Sequence, residues 1–267
     1  MIGMKEDNTI VLLDGSTWDK SVLIDKMNDD SFYYGECGKT MLSSSAAKLL
    51  LDSYKKYYYI TKYGDNSKPS QALIDGWLFH TAILEPHIFA KQIFVDIKGK
   101  NTIKFKEAQK EYGEGVRLFT IAERDRAERL ADGFLKNSIL VEYLNKAEFE
   151  VPIAGNIMGV PFRGKADIIT QNGGIIDLKT TTNIAQFKWS AKNYCYDLQC
   201  YIYCNLFNVS YKDFYFIAID KDSLVPKFCY VSEDFYYAGE KKCVQAIDEY
   251  KNNIGEDLNE YLKYETL

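Results

Sequence analysis

The sequence has few of the features that mark membrane-spanning or disulfide-bonded proteins. No apolar run approaches the roughly 20 residues that a transmembrane helix needs, and the first residues, MIGMKEDNT, lack the apolar core of a signal peptide. The 6 cysteines are too few and too scattered over 267 residues for a disulfide scaffold. These absences exclude a helical membrane protein and a small secreted scaffold, so we expect a cytoplasmic protein with no membrane partner.

The composition is that of a globular protein. Hydrophobic residues make up 46% of the chain and charged residues 27%, which excludes wholesale disorder. No internal repeat and no linker rich in glycine, proline or serine divides the chain. We therefore predict one domain over residues 1–267, with N-terminal additions to about residue 70 and an acidic helical tail from about residue 233. The 21 tyrosines can fill a core or stack on bases, and their number alone decides neither.

Charge is distributed unevenly along the chain. The net charge of −5 argues against a protein that coats nucleic acid without specificity. Residues 233–267 carry nine acids and four bases, whereas residues 91–110 carry six lysines and two acids. This pattern fits a protein that meets phosphates on one face, and it fits a solvated loop and a solvated helix equally well.

The hydrophobic period changes from helical to strand-like along the chain. The first 35 residues predict a short strand and turns, and serine caps and helical spacing then predict helices after residue 45, at Gln71–Leu84 and at 121–143, with a flexible lysine-rich excursion at 91–115. Alternation predicts strands at 148–153, 158–170 and 174–178 with turns at 154–156 and 171–173, followed by a helix at 185–207, strands at 213–220 and 227–231, and a C-terminal helix. This order predicts an α/β (α+β) fold with a central mixed β-sheet flanked by helices.

Two acids and a lysine fall on neighbouring strands of the predicted hairpin. Asp177 and Lys179 share one strand face, and Asp167 joins them if the connecting loop has an odd number of residues. The three-residue loop 171–173 pairs Asp167 with Asp177, and Gly173 suits the left-handed position that such a loop commonly requires. The hairpin therefore brings the three charged side chains to one side.

Two adjacent carboxylates repel each other unless a divalent cation lies between them. Oxygen ligands favour a hard ion such as Mg²⁺ or Mn²⁺ over zinc. A lysine beside them can polarise an attacking water and counter the charge that develops on a phosphate. A surface hairpin with ordinary salt bridges explains the same residues, because D-x-K is common by chance.

One of the two histidines lies in a predicted apolar helix. Leu73, Trp77, His80 and Leu84 recur at helical spacing and predict the buried stripe, with Gly76 one turn before His80 to permit close approach. Such a histidine binds a metal ion, or it is a core residue hydrogen-bonded to the backbone.

A glutamine and a tyrosine share one face of the helix that follows the D-x-K strand. Gln199 and Tyr203 are four residues apart, so they can bind phosphate or hold the lysine and a water. Alone, Q-x-x-x-Y is a very weak signal.

The order G-x-x-x-H, D, D-x-K and Q-x-x-x-Y resembles the PD-(D/E)XK nuclease superfamily in its RecB-like branch. The surrounding text is similar to the phage-type exodeoxyribonuclease VIII (RecE-like) domain from about residue 41 to residue 215, in LSSSAAKLLL, DGWLFHTAILEPHIF, EVPI, GVPFRGKADII, IIDLKTTTNIAQF and YDLQCYIY. The resemblance implies a restriction-endonuclease-like core and metal-dependent cleavage of DNA. It further implies processive 5′ to 3′ action on duplex ends, which leaves a single strand for annealing.

The resemblance also implies roles for particular residues. The implied metal ligands are His80, Asp167, Asp177 and the backbone carbonyl of Leu178, the catalytic lysine is Lys179, and Gln199 and Tyr203 belong to the third motif. The implied partners are duplex DNA ends, a single-strand annealing protein in phage-type recombination, and further copies of the chain in a homo-oligomeric ring.

One acid of the family pattern is not carried over to the predicted site. The family has an acid at Glu150, but a turn at Gly155 and Asn156 would place Glu150 about 20 Å along the strand from Asp167. We therefore leave Glu150 out of the predicted site.

Some RecB-like nucleases hold an iron–sulfur cluster. Here Cys195, Cys200 and Cys204 lie on or beside one helix at a spacing unsuited to a cluster, so we expect reduced thiols and no iron–sulfur centre.

Two other functions remain open at this point. A catalytically inactive member would serve as a DNA-end or protein-binding module, and the intact set of Asp167, Asp177 and Lys179 argues against it. A structure-specific endonuclease on the same core is disfavoured because no separate sequence-reading module is visible.

Overall fold

The helices and strands follow one another in three groups, and the computed structural model describes residues 8–65 and 67–255. The first group comprises β1 (Thr9–Val11), β2 (Thr17–Asp19), α1 (Lys20–Lys26), α2 (Asp30–Tyr34), α3 (Glu36–Thr40), α4 (Ser44–Asp52) and α5 (Tyr54–Tyr63). The second comprises α6 (Gln71–Leu84), α7 (Pro86–Phe89), β3 (Ile93–Val95), α8 (Ile103–Tyr112), β4 (Leu118–Thr120), α9 (Ile121–Leu135) and α10 (Ser138–Leu144). The third comprises β5 (Glu148–Ile157), β6 (Val160–Ile169), β7 (Ile175–Thr181), α11 (Phe187–Asn193), α12 (Tyr196–Phe207), β8 (Phe214–Asp220), β9 (Pro226–Tyr230) and α13 (Glu233–Asn253).

The third group forms a mixed sheet of five strands in the order β5-β6-β7-β8-β9. Neighbouring strands are antiparallel except β7 and β8, which run parallel. Parallel neighbours need a crossover connection, and α11 and α12 supply it. The predicted central mixed sheet flanked by helices is therefore confirmed.

Two apolar clusters cover the two faces of the sheet. Alternate residues of β7 point to opposite faces, so Ile175 packs in one cluster while Ile176 and Leu178 pack in the other. The first cluster is closed by residues of α4, α5, α12 and α13, and the second by residues of α6, α9 and α10. Within the part of the chain that the structure describes, no helix is both long and apolar enough to cross a bilayer.

Several predicted boundaries are wrong for local reasons. The predicted helix 121–143 is two helices, because Asn137 caps a new one through a hydrogen bond from the backbone N–H of Leu140. The predicted helix 185–207 breaks at Cys195, whose φ of 58° is left-handed. The stretch predicted to be flexible, 91–115, contains β3 and α8.

The N-terminal end contains more elements than the sequence predicts, and the structure describes part of the acidic C-terminal tail. The first 35 residues contain the predicted strand, but also the helices α1 and α2 that the weak alternation did not indicate. The helical part of the acidic tail is α13, and residues 256–267 of that tail lie outside the described residues.

Candidate functional site

The site lies at a fork between β6 and β7. These two strands pair at Ile169 with Ile175 and at Ile168 with Ile176, and Asp167 and Asp177 come directly after the second pair. Beyond the fork, Leu42 takes the place of β7 beside β6, where it forms a parallel bridge to Phe162. At the fork, groups that a continuous ladder would pair make other contacts, such as the hydrogen bond from the backbone N–H of Leu178 to Asp167.

The hairpin at this fork has the predicted loop. The backbone N–H of Thr170 donates to the carbonyl of Gly174 over 2.8 Å, which leaves residues 171–173 as the loop, and Gly173 has a φ of 80°. The predicted loop and register are therefore confirmed, although the strands separate before Asp167 and Asp177 form a pair.

Asp167 contacts both Leu178 and His80 on one side of the fork. Its Oδ2 accepts a hydrogen bond of 2.7 Å from the backbone N–H of Leu178 and lies 3.4 Å from Nδ1 of His80. Burial raises the pKa of Asp167, against the opposing effects of the Lys179 charge and the Leu178 hydrogen bond. A carboxyl group held in this way is poised to bind a positive charge.

His80 reaches the fork from α6, and it is a neutral imidazole at physiological pH. Burial, and then the charge of Lys179, lower its pKa to about 4, although Asp177 and a backbone hydrogen bond with Leu178 act in the opposite direction. A neutral imidazole beside a carboxylate can serve as a metal ligand.

The predicted buried stripe of α6 is wrong at Leu73 and right at Leu84, which is buried. Leu73 is 66% exposed, whereas Leu78 and Phe79 are buried, so the buried face is rotated and His80 lies at its margin. The helix is apolar on most of its circumference, which leaves helical spacing without a unique buried face.

A polar network fixes α6 to α9. Gln71 donates to Asp75 over 2.8 Å and to Glu123 over 3.1 Å, and Arg126 of α9 contacts the same oxygen of Asp75. Gly76 faces β7, where a Cβ atom would lie 3.8 Å from the hydroxyl of Thr180. These contacts hold the helix that carries His80 against the fork.

Asp177 is fixed on the face of the sheet that α12 covers. Gln199 donates to Oδ2 of Asp177 over 2.6 Å, and Lys179 forms an ion pair with Oδ1. Burial raises the pKa of Asp177 to about 6, with the charge of Lys179 opposing the shift. Gln199 thus holds the acid, whereas the sequence suggested that it holds the lysine.

Lys179 remains charged although its side chain is largely buried. Burial opposes the charge, but Asp177 and Asp167 together raise the pKa of Lys179 above its ordinary value. Its ammonium also lies 4.7 Å from the centre of the Tyr196 ring, a cation–π contact that the sequence analysis missed. The lysine is therefore fixed on one side by a carboxylate and on another by a ring.

Tyr203 plays a supporting part in the fork. Its hydroxyl donates to the backbone carbonyl of Lys165 over 3.0 Å, and the side chain is buried. Tyr203 therefore ties α12 to β6, two residues before Asp167. This contact differs from the predicted one, in which Tyr203 bound phosphate or the lysine.

The sequence predicts that Glu150 lies outside the site, whereas the structure places it beside Asp167. The turn between β5 and β6 is at Met158 and Gly159, both with positive φ, and not at residues 155–156. The register Phe149–Ile168 and Val151–Ala166 then places Glu150 opposite Asp167. The Met-Gly dipeptide between two alternating segments was the available signal, because a glycine there fits a two-residue hairpin turn.

A three-residue group could hold a metal ion. In the part of the chain that the structure describes, ligand atoms of His80, Glu150 and Asp167 lie within 4.8 Å of one another. Burial, and then the charge of Asp167, raise the pKa of Glu150. Asp177 is outside this group, and its buried Oδ1 is paired with the ammonium of Lys179. One imidazole and several carboxylates fit a hard divalent cation.

The three cysteines that were considered as iron–sulfur ligands are not part of the three-residue group. Cys200 and Cys204 are buried with their sulfurs 3.9 Å apart, and the sulfur of Cys195 lies 3.7 Å from the ammonium of Lys242.

The fold and the fork are those of a restriction-endonuclease-like, PD-(D/E)XK protein. Residues 43–258 match the model of a family described as a PDDEXK-like domain of unknown function (DUF3799). The chain belongs to this family, and with it to the PD-(D/E)XK nuclease superfamily that its motifs resemble.

One solved structure shares the fold. The crystal structure of a candidate exonuclease from Eubacterium rectale is 15% identical, with a TM-score of 0.63 over 90% of this chain and 95% of that one. A structure named SSO0001 is 19% identical over 67% of this chain and 86% of that one, with a TM-score of 0.32 that is too low to indicate a common fold. No curated protein sequence matches this one.

Proposed function

We propose that this protein is a metal-dependent deoxyribonuclease that hydrolyses phosphodiester bonds from the ends of duplex DNA. The observation that supports the proposal is the strand fork. It gathers His80, Glu150 and Asp167 within ligand distance of one another and holds Lys179 against Asp177 beside them. A structural salt bridge would not require a buried lysine, three acids and a neutral histidine at the same point.

The finer parts of the proposal follow the RecE-like resemblance. The enzyme is an exonuclease that acts 5′ to 3′ and supplies single strands for phage-type recombination by annealing. Its partners are duplex DNA ends, a single-strand annealing protein and further copies of the chain in a ring. The runner-up functions are an inactive DNA-end or protein-binding module and a structure-specific endonuclease.

The residues at the fork would hold Mg²⁺ or Mn²⁺. His80, Glu150 and Asp167 offer side-chain ligands. The RecE-like resemblance adds a carboxylate oxygen of Asp177, which is paired with Lys179 here, and the backbone carbonyl of Leu178. When bound, the cation supplies positive charge for phosphate oxygens and makes water a stronger nucleophile.

The protein's own groups position the reaction. Lys179 donates hydrogen bonds to the attacking water and to the phosphate, and its charge counters the negative charge that grows as the P–O bond breaks. Asp177 and the Tyr196 ring fix that ammonium, and Gln199 fixes Asp177. Because these groups are set before substrate binds, little reorganisation accompanies the reaction.

The direct test is to incubate the protein and Mg²⁺ with end-labelled linear duplex and with closed circular duplex. We expect loss of the linear substrate alone, and no loss in EDTA or with Asp177→Asn. Cutting of the circle would indicate an endonuclease. Binding of ends without cleavage would indicate an inactive module, and full activity in EDTA would exclude the metal-dependent mechanism.

Lys179 can be separated from the metal ligands by a second test. Lys179→Ala should keep Mn²⁺ binding by calorimetry yet lose orders of magnitude in cleavage rate, because its charge is needed as the transition state forms. The exposed Lys227→Ala is the matched control and should keep both Mn²⁺ binding and the cleavage rate. Collapse of Mn²⁺ affinity in Lys179→Ala would make Lys179 a structural residue.

A further inference from the structure

A surface of aromatic and basic side chains begins at Tyr196, next to the lysine of the fork. The ring of Tyr196 lies 4.7 Å from the Lys179 ammonium and 5.8 Å from the ring of Tyr194. Tyr196 is fixed from below by Phe216, whose ring stacks on it at 5.7 Å. The contacts therefore run from the proposed catalytic lysine outward to Tyr194 without a gap.

Tyr194 is presented to solvent by this arrangement. It is 57% exposed, and the ammonium of Lys48 from α4 lies 5.4 Å from the ring centre. An exposed ring with a cation beside it can stack on a base while the cation meets the adjoining phosphate.

The short helix α11 extends the same chemistry. Trp189 is 59% exposed, and the ammonium of Lys192 lies 5.8 Å from its ring. Residues 187–196 contain two lysines and no acid, in a chain whose net charge is −5. Large exposed rings in a segment of one charge sign are typical of a binding surface rather than of a solvated face.

We propose that Tyr194 and Lys48, with Trp189 and Lys192 beyond them, bind the unpaired nucleotides of a DNA strand next to the fork. The occupant is single-stranded, because exposed rings that stack on successive bases, beside cations that meet the backbone, are the recognition chemistry of single strands. Stacking tolerates any base, which suits an enzyme that acts on ends regardless of sequence. The inference rests on the proposed function and names how that same site holds its substrate.

A second lysine–tyrosine pair provides the matched control. Tyr63 is 58% exposed and has the ammonium of Lys62 5.4 Å from its ring, but it stacks on Tyr59 of α5. It has the chemistry of the Tyr194 pair without ring contact to Tyr196. Position, and not composition, therefore distinguishes the two pairs.

The test measures binding of a fluorescein-labelled 12-nucleotide oligo-dT by anisotropy in EDTA, where cleavage is suppressed. Tyr194→Ala should raise the Kd about tenfold, while Tyr194→Phe and Tyr63→Ala stay within about twofold of the unmodified protein. Lys48→Ala should flatten the dependence of log Kd on log salt by about 0.7, the value for one phosphate on a single strand. Thermal melts establish that each variant is folded.

The outcomes separate this inference from the proposed function. Unchanged binding by Tyr194→Ala, an equal loss in Tyr63→Ala, or no binding of oligo-dT by the unmodified protein would each overturn the inference. Tyr194-dependent binding by a protein that cleaves no DNA would instead remove the proposed function and leave the binding surface standing.

Discussion

Three acids lie close together at the fork, and burial raises the pKa of each. Asp167 and Glu150 face each other across β5 and β6, and the pKa of each is raised by burial. Asp177, one strand away, has a pKa raised to about 6 for the same reason. Lys179 is the compensating charge within the fork. A divalent cation would relieve the remaining repulsion, which links metal binding to stability.

Glu150→Gln tests this link through the pH dependence of stability. An unfolded glutamate titrates near about pH 4.3, so the raised folded pKa of Glu150 gives stability that is present below that value and lost as pH rises through the folded pKa. In EDTA, Glu150→Gln and the unmodified protein should therefore melt at similar temperatures at pH 4, and the variant should melt higher at pH 8.

The control for that measurement is Glu148→Gln, an exposed position two residues earlier on the same strand. Its melting temperature should follow that of the unmodified protein at both pH values. A Glu150→Gln variant that behaves like Glu148→Gln would show that the Glu150 carboxyl is not perturbed. Addition of Mg²⁺ at pH 8 should stabilise the unmodified protein more than Glu150→Gln.

The contact between α12 and α13 positions the helix that carries Gln199 and Tyr203. Gly239 of α13 packs directly on the backbone of Asp197, so closely that a Cβ atom there would overlap its carbonyl oxygen. Asp197 is buried, and Lys242 contacts both of its carboxylate oxygens at 2.9 and 2.8 Å. The close crossing and the ion pair fix α12 against the sheet.

Gly239→Ala should therefore destabilise the protein by about 3 kcal/mol, at the upper end of overpacking costs, because backbone rather than a flexible side chain obstructs the added methyl group. Urea denaturation measures the effect. Gly99→Ala is the control, since an added Cβ atom at Gly99 meets no atom within 4 Å. Equal midpoints for the two variants would contradict the packing argument.

The N-terminal elements are joined to the sheet at the scale of the whole molecule. Leu23 and Met27 of α1 pack in one apolar cluster with Ala154 of β5. Lys165 of β6 forms an ion pair of 2.5 Å with Asp30 of α2. Because of these contacts, we expect the N-terminal additions to unfold together with the sheet, as the predicted single domain requires.

Leu23→Ala tests that unity, because Leu23 is fully buried in the N-terminal cluster. The substitution should lower the free energy of unfolding by about 3 kcal/mol and shift one calorimetric transition as a whole. Val22→Ala, at a neighbouring exposed position, should leave the transition in place. Two transitions, of which Leu23→Ala moves one, would show that the N-terminal elements fold as a separate unit.

The sequence alone determined the features that depend on neighbours along the chain. Strand alternation and the three-residue loop with Gly173 were enough to place Asp167 opposite Asp177, because hairpin register is a local property of loop length. The bounds of α6 were likewise local, with Ser70 as cap and Pro86 after the last turn.

The tertiary structure decided everything that depends on contacts between distant segments. Glu150 enters the site through a turn that begins eight residues after it, and its positive φ of 50° interrupts the strand pattern at that position. Tyr196 meets Lys179 because Cys195 breaks a helix that periodicity predicts to be continuous. Periodicity records which face of an element is buried, but not which partner covers it, and the site is built from partners.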